Sequence, residues 1–175
     1  DLPEVPLPQV PALLESYNIL VTGIGGTGVL TIGALLGMAA HLEGKGCSVL
    51  DMAGLAQKGG AVLSHIRLFS EPDREASAKI ITGGANLLLA CDSVVASGKD
   101  AQTAVADFVR NRDLDFKELA VQKAIAARTM KDGRFPLPAT GLATALMGDS
   151  IATNMFILGY AWQKGLIPLS LPSIE

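Results

Sequence analysis

The sequence predicts an α/β fold of three layers, built on a mostly parallel sheet with a glycine-rich turn between its first strand and first helix. Three observations predict it. A short apolar run, Asn18-Ile-Leu-Val-Thr22, ends in glycines, as a strand buried on both faces does. Residues 28–42 then read as one helix, and strand patterns return at residues 48–50 and 61–69.

The opening eleven residues place Pro3, Pro6, Pro8 and Pro11 in a polyproline-like run. Residues 1–16 therefore read as a linker from a larger polypeptide, and residues 17–175 as the domain. Within the helix, Gly33 and Gly37 fall four apart on one face, where they permit close approach to the sheet. Gly44 and Gly46 stop it. Ser48-Val-Leu50 is the second strand, with Asp51 at its C-terminal edge.

Residues 54–60, Gly-Leu-Ala-Gln-Lys-Gly-Gly, suit a loop because their glycines allow backbone conformations closed to other residues. The next stretch alternates. Val62, Ser64, Ile66 and Leu68 lie on one face, and Leu63, His65 and Arg67 on the other. A further strand is expected near residues 79–82. Residues 86–97 should supply a short helix or a strand approach, and another central strand.

Residues 98–107 are too short for a helical crossover, which needs a dozen or more residues. Residues 114–130 read as an amphipathic helix, residues 140–146 as a short one, and residues 151–164 as the last. Asp149 or Ser150 is its N-cap, and Gly165 and Pro168 end it.

Composition narrows the function. The 175 residues are 49% hydrophobic and only 18% charged, with a net charge of −3. Soluble domains average roughly 25% charged residues, so large areas of this surface are expected to lie under other chains or domains, in a homodimer or larger assembly. Disorder is excluded, and a nucleic-acid binder would show a basic face. Residues 18–42 lack Asp, Glu, Lys and Arg. Their glycine cluster nevertheless argues for strand, turn and helix over a membrane span. Cys47 and Cys91, the 2 cysteines, form no metal-binding spacing and fit a reducing cytoplasm.

Gly23-Ile-Gly25-Gly26-Thr-Gly28 satisfies G-x-G-x-x-G between a strand and a helix. In that pattern backbone N–H groups and a positive helix end approach a phosphate, and an acid such as Asp51 accepts a ribose hydroxyl. The alternative is a tight turn with no nucleotide. Gln57, Lys58, Gly59 and Gly60 could present a cation and N–H groups to an anion, though docking on a neighbouring subunit is favoured. His65 reads as structural. Asn154, polar among apolar residues on the last helix, needs a partner, for which backbone is favoured over ligand.

Three segments together resemble a known family. They are Val21-Thr-Gly-Ile-Gly-Gly-Thr-Gly28, Gly54-Leu-Ala-Gln-Lys-Gly-Gly-Ala-Val-Leu-Ser-His-Ile-Arg67 and Gly148-Asp-Ser-Ile-Ala-Thr-Asn-Met-Phe-Ile-Leu-Gly-Tyr160. In this order they look like the gamma domain of the 2-oxoacid:ferredoxin oxidoreductases, nearest the indolepyruvate type. The resemblance implies a Rossmann-like fold and oxidative decarboxylation of a 2-oxoacid with CoA and ferredoxin. It places thiamine diphosphate and iron–sulfur clusters on other domains. Carried over by position, Gly23, Gly25, Gly26 and Gly28 match the family's glycine turn. Gln57, Lys58, Gly59 and Gly60 match its Arg/Lys-Gly-Gly loop, with lysine where arginine is frequent. Asn154 matches the polar position of the last helix. No residue here is implied to be catalytic. Two other readings stay open: a free-standing NAD(P)- or FAD-dependent oxidoreductase using Asp51, and an assembly module without a ligand.

Overall fold

The computed structural model describes residues 5–54, 60–97, 118–127, 129–130 and 133–175. Strand β1 (Ser16–Ile24) leads through a turn into helix α1 (Val29–Leu42), which returns the chain to β2 (Gly46–Ala53). Strand β3 (Ala61–Phe69), strand β4 (Leu87–Ala90) and helix α2 (Ser93–Ser97) follow, then helices α3 (Glu118–Ala126) and α4 (Ala139–Met147). A 3₁₀ turn (Ser150–Ala152), helix α5 (Thr153–Gln163) and a final helical turn α6 (Leu171–Ile174) complete the order. The abbreviated connection expected at residues 98–107 lies outside the described residues.

The sheet order is β2-β3-β1-β4. Here the structure corrects the expected mostly parallel sheet, because among the described residues only β1 and β4 pair in parallel. Strand β3 runs antiparallel to both neighbours, from Ser16↔Phe69 to Ile24↔Ala61 on one side and from Gly46↔Phe69 to Ala53↔Val62 on the other. The cause is local. The chain between β2 and β3 reverses direction, closed by Gly54 N–H donating to Ala61 O at 2.9 Å, and β3 slots between β1 and β2. A strand buried on both faces reads alike in parallel and mixed sheets, so apolar runs could not reveal this insertion.

Two further expectations are corrected. No strand forms at residues 79–82. Instead Ile80 is buried and its N–H donates to His65 Nδ1 at 3.3 Å, a side chain replacing a ladder partner. Strand β4 lies at the end of the described order, not at its centre.

Helix α1 packs Val29, Ile32, Gly33, Leu36, Ala39 and Ala40 against the sheet. Gly33 sets the approach: a Cβ there would sit 3.0 Å from Ser64 Oγ and 3.1 Å from Val49 Cγ1. The core joins Ile19 and Val21 of β1, Ile66 and Leu68 of β3, and Leu158 and Trp162 of α5. Trp162 satisfies its buried indole N–H on Leu169 O at 2.9 Å. The N-terminal stretch lies along α5, where Gln163 Nε2 donates to Pro6 O at 2.7 Å.

The C-terminus is clamped to the end of α1 by Glu43. Its Oε1 accepts from Ser170 N–H (2.7 Å), Ser170 Oγ (2.8 Å) and Ser173 Oγ (2.6 Å). Its Oε2 accepts from Lys45 Nζ at 2.6 Å, and the same ammonium donates to Pro168 O at 2.9 Å.

Candidate functional site

The parallel pair β1–β4 fixes where a site can form. In open α/β sheets ligands bind beyond the carboxyl ends of such strands. There the chain makes the turn 25–28, and beside it opens a cavity of about 420 Å³. Ile24, Gly26 and Thr27 line one wall; Cys91 and Asp92, just after β4, line a second. Thr140 of α4 and Asp149, Ser150, Ile151, Thr153 and Asn154 form the rest.

Gly26 and Gly28 adopt φ of 88° and 89°, left-handed values that favour glycine. Between them Thr27 folds back, its Oγ1 donating to Ile24 O at 2.7 Å. Gly25 N–H donates to Gly60 O at 2.8 Å, so the β1–β3 pairing brings the glycine turn to the end of the Lys-Gly-Gly loop. Gln57, Lys58 and Gly59 lie outside the described residues. Gly23 sits inside β1 under Val29 and shapes the turn through packing.

Asn154 is 4% exposed. Its Nδ2 donates to Thr27 O and also reaches Thr27 Oγ1 at 3.2 Å, tying α5 to the turn. The N–H groups of Gly26, Gly28, Val29 and Leu30 have no hydrogen-bond partner among the described residues. They sit at the positive end of a helix of 14 residues whose first turn holds no acid. A helix end of this kind has the polarity that favours an anion. The facing carboxylates are partly committed: Asp92 Oδ1 accepts from Val95 N–H and Asp149 Oδ1 from Ile151 N–H, both at 2.9 Å.

Neither cysteine of the chain is an activated thiol, and only Cys91 lines the wall. Burial, with the charge of Asp92 adding to it, pushes the Cys91 thiol up to about 11, and burial does the same for Cys47. Both stay protonated at neutral pH. His65 does not line the cavity; burial and the charge of Lys79 lower its pKa, so it stays neutral as an acceptor for Ile80. Asp51 is an exposed residue of β2, with β3 between its strand and β1, about 10 Å away at ordinary strand spacing. It does not line the cavity. The dinucleotide reading thus lacks its ribose acceptor.

The comparisons with known proteins follow this geometry. A family model described as pyruvate ferredoxin/flavodoxin oxidoreductase matches residues 18–175. The chain belongs to this family. Among curated relatives, the indolepyruvate oxidoreductase subunit IorB of Pyrococcus horikoshii is 35% identical over 83 residues, 47% of this chain and 40% of the relative. The subunit of the same name from Thermococcus kodakarensis is 41% identical over 54 residues, 31% of this chain and 27% of the relative. These matches therefore span less than half of each relative. Among solved structures, a 2-oxoglutarate:ferredoxin oxidoreductase from Magnetococcus marinus, with 2-oxoglutarate, coenzyme A and succinyl-CoA bound, aligns with a TM-score of 0.58. The alignment covers 91% of this chain and 26% of that one at 18% identity, a likeness of fold.

Most of the cavity wall was not legible beforehand. Cys91 and Asp92, Thr140, and Thr153 come from three separate segments, and only tertiary packing collects them. The sequence signals were Gly26 in the glycine turn, Asp149 or Ser150 as a helix cap, and Asn154 as a polar residue on an apolar helix. Among the described residues no cluster of three or more His, Cys, Asp or Glu could hold a metal ion. Iron–sulfur ligation normally takes four thiolates, which 2 cysteines cannot provide. The glycine turn does fit a phosphate group.

Proposed function

We propose that this chain is a non-autonomous part of a thiamine diphosphate- and ferredoxin-dependent 2-oxoacid oxidoreductase, with an arylpyruvate such as indolepyruvate as substrate and an acyl-CoA as product. Its own task is to bind the phosphates of CoA at the turn 25–28 and to shape the active-site entrance. The observation that carries this is the set of N–H groups without a partner among the described residues, on Gly26, which lines the cavity, and on Gly28, Val29 and Leu30, which follow it. Family membership supplies the reaction.

Thiamine diphosphate and iron–sulfur clusters, held by other domains or subunits, supply the decarboxylation and electron chemistry. The residues here bind and orient. The N–H groups offset phosphate charge, while Thr140, Ser150 and Thr153 offer hydroxyls to the remainder of the ligand. Lys58, between β2 and β3 in the sequence, is suited to add a cation. Without those domains the chain does not turn over substrate.

The assembly function has its own support. Leu30, Met38 and Leu42 of α1 are 50%, 60% and 67% exposed, although a helix apolar all round belongs in an interior. Other domains of the enzyme cover this face, in a cytoplasmic homodimer or larger oligomer that passes electrons to ferredoxin. Among the described residues no helix is long and apolar enough to cross a membrane.

The test is an assay of the complete enzyme. Indolepyruvate, CoA and oxidised ferredoxin together should give reduced ferredoxin and an acyl-CoA, and omitting CoA should abolish the acyl-CoA. Substrate oxidation by this chain alone, or its tight binding of NAD(P) or FAD, would contradict the reading.

A further inference from the structure

We infer that Asn154 is a positioning residue for the anion-binding turn, setting the affinity for CoA without touching the reacting atoms. This rests on the preceding proposal that the phosphates of CoA sit at residues 25–28.

Asn154 is 127 residues from Thr27 in sequence, yet its buried amide reaches both the carbonyl and the hydroxyl of that residue. A peptide unit is planar and trans, so its C=O and N–H point in opposite directions. Fixing Thr27 O on Asn154 Nδ2 therefore fixes the direction of Gly28 N–H. The flanking residues make such a constraint necessary. Gly26 and Gly28 both sit at positive φ, and a Cβ built on Gly26 would meet nothing within 4 Å. Glycine in open space is free to take other conformations.

Two bonds oppose that freedom. Thr27 Oγ1 anchors to Ile24 O at the end of β1, and Asn154 anchors Thr27 to α5. Asn154 in turn is held from below. Asp149 caps the 3₁₀ turn through Ile151 N–H, and Thr153 Oγ1 donates to Ser150 O at 2.6 Å, setting the first turn of α5. The turn is thus preorganised by a side chain from α5, another element lining the cavity, which spares the ligand the cost of ordering it.

The experiment uses the complete enzyme and reads CoA binding by calorimetry alongside steady-state kinetics. Asn154→Leu keeps the branched four-atom side chain, adds no charge and removes the donor. It should raise both the Kd and the KM for CoA about tenfold, the usual worth of one buried hydrogen bond. The kcat at saturating CoA and the KM for the 2-oxoacid should stay within about twofold, a split that general loss of structure would not produce. Thr27→Val, which deletes only the hydroxyl anchor, should raise the Kd about threefold by the same reasoning and serves should Asn154→Leu fail to assemble.

Gly26→Asp separates the two claims by placing a carboxylate in the open space of the turn. Should Gly26→Asp raise the Kd while Asn154→Leu and Thr27→Val leave it unchanged, the positioning role is wrong and the binding site stands. Should Gly26→Asp leave the Kd unchanged, CoA binds elsewhere and both fall.

Discussion

Gly23→Val is expected to destabilise the protein by about 3 kcal/mol, the upper end of ordinary overpacking, and to lower its Tm by roughly 10 °C at this chain length. The reason is a backbone packed against a side chain with no slack. Gly23 is buried in β1, and a Cβ there would lie 2.5 Å from Val29 Cγ2 and 3.3 Å from Cys91 Cβ. Val29 is 2% exposed, at the first position of α1. It cannot step aside without moving the helix start, and with it the N–H groups that face the anion. Gly26→Ala supplies the contrast. Its Cβ meets nothing within 4 Å, so only left-handed strain of about 1 kcal/mol remains. A thermal scan decides the matter, and equal losses in the two variants would show that packing beneath α1 does not control the turn.

Acid should release the C-terminus before it reaches the core. Burial alone would raise the pKa of Glu43, but hydrogen bonds from Lys45, Ser173 and Ser170 outweigh it and hold the carboxyl at about 2. The folded value is below the unfolded value of 4.5. This stabilisation is therefore complete above pH 4.5 and is lost as pH falls towards about 2. Discounted for solvent screening of a partly exposed group, it amounts to about 2 kcal/mol. Glu43→Gln should lose about that much at pH 7 and show a flatter pH dependence between pH 5 and 2. It keeps an amide oxygen for the serine hydroxyls but removes the charge they share and faces the Lys45 ammonium with an NH2 group, or with a neutral oxygen at best. Urea midpoints across that range measure it; a wild-type acid slope retained in the variant would place the titration elsewhere.

The elements were legible where side-chain periodicity carries the signal. The run Asn18-Ile-Leu-Val-Thr22 lies in β1, and the alternation through Val62, Ser64, Ile66 and Leu68 lies in β3, where Ser64 and Ile66 are fully buried. Strand direction was not legible, because periodicity reports burial and is silent on which neighbour supplies the ladder. Ile80 misled for a related reason. It is buried as a strand residue would be, but its N–H is satisfied by a histidine ring fifteen positions earlier.

The site divides in the same way. The glycines of the turn could be read from the chain, since positive φ restricts residue type. The convergence of Gly25 with Gly60 follows from strand pairing, and the bond from Asn154 to Thr27 follows from packing of α5. Neither has a local signature. Asn154 announced only that it needed a partner, and Asp51 drew attention through a spacing that the inserted β3 makes irrelevant.

Amide hydrogen exchange of the complete enzyme, with and without CoA, tests the central claim most directly. Binding at the turn predicts that CoA slows exchange about tenfold or more at Gly26, Gly28, Val29 and Leu30, since each amide gains an acceptor that the described residues do not provide. Unchanged exchange across residues 25–30 at saturating CoA, with protection appearing elsewhere in the enzyme, would contradict it.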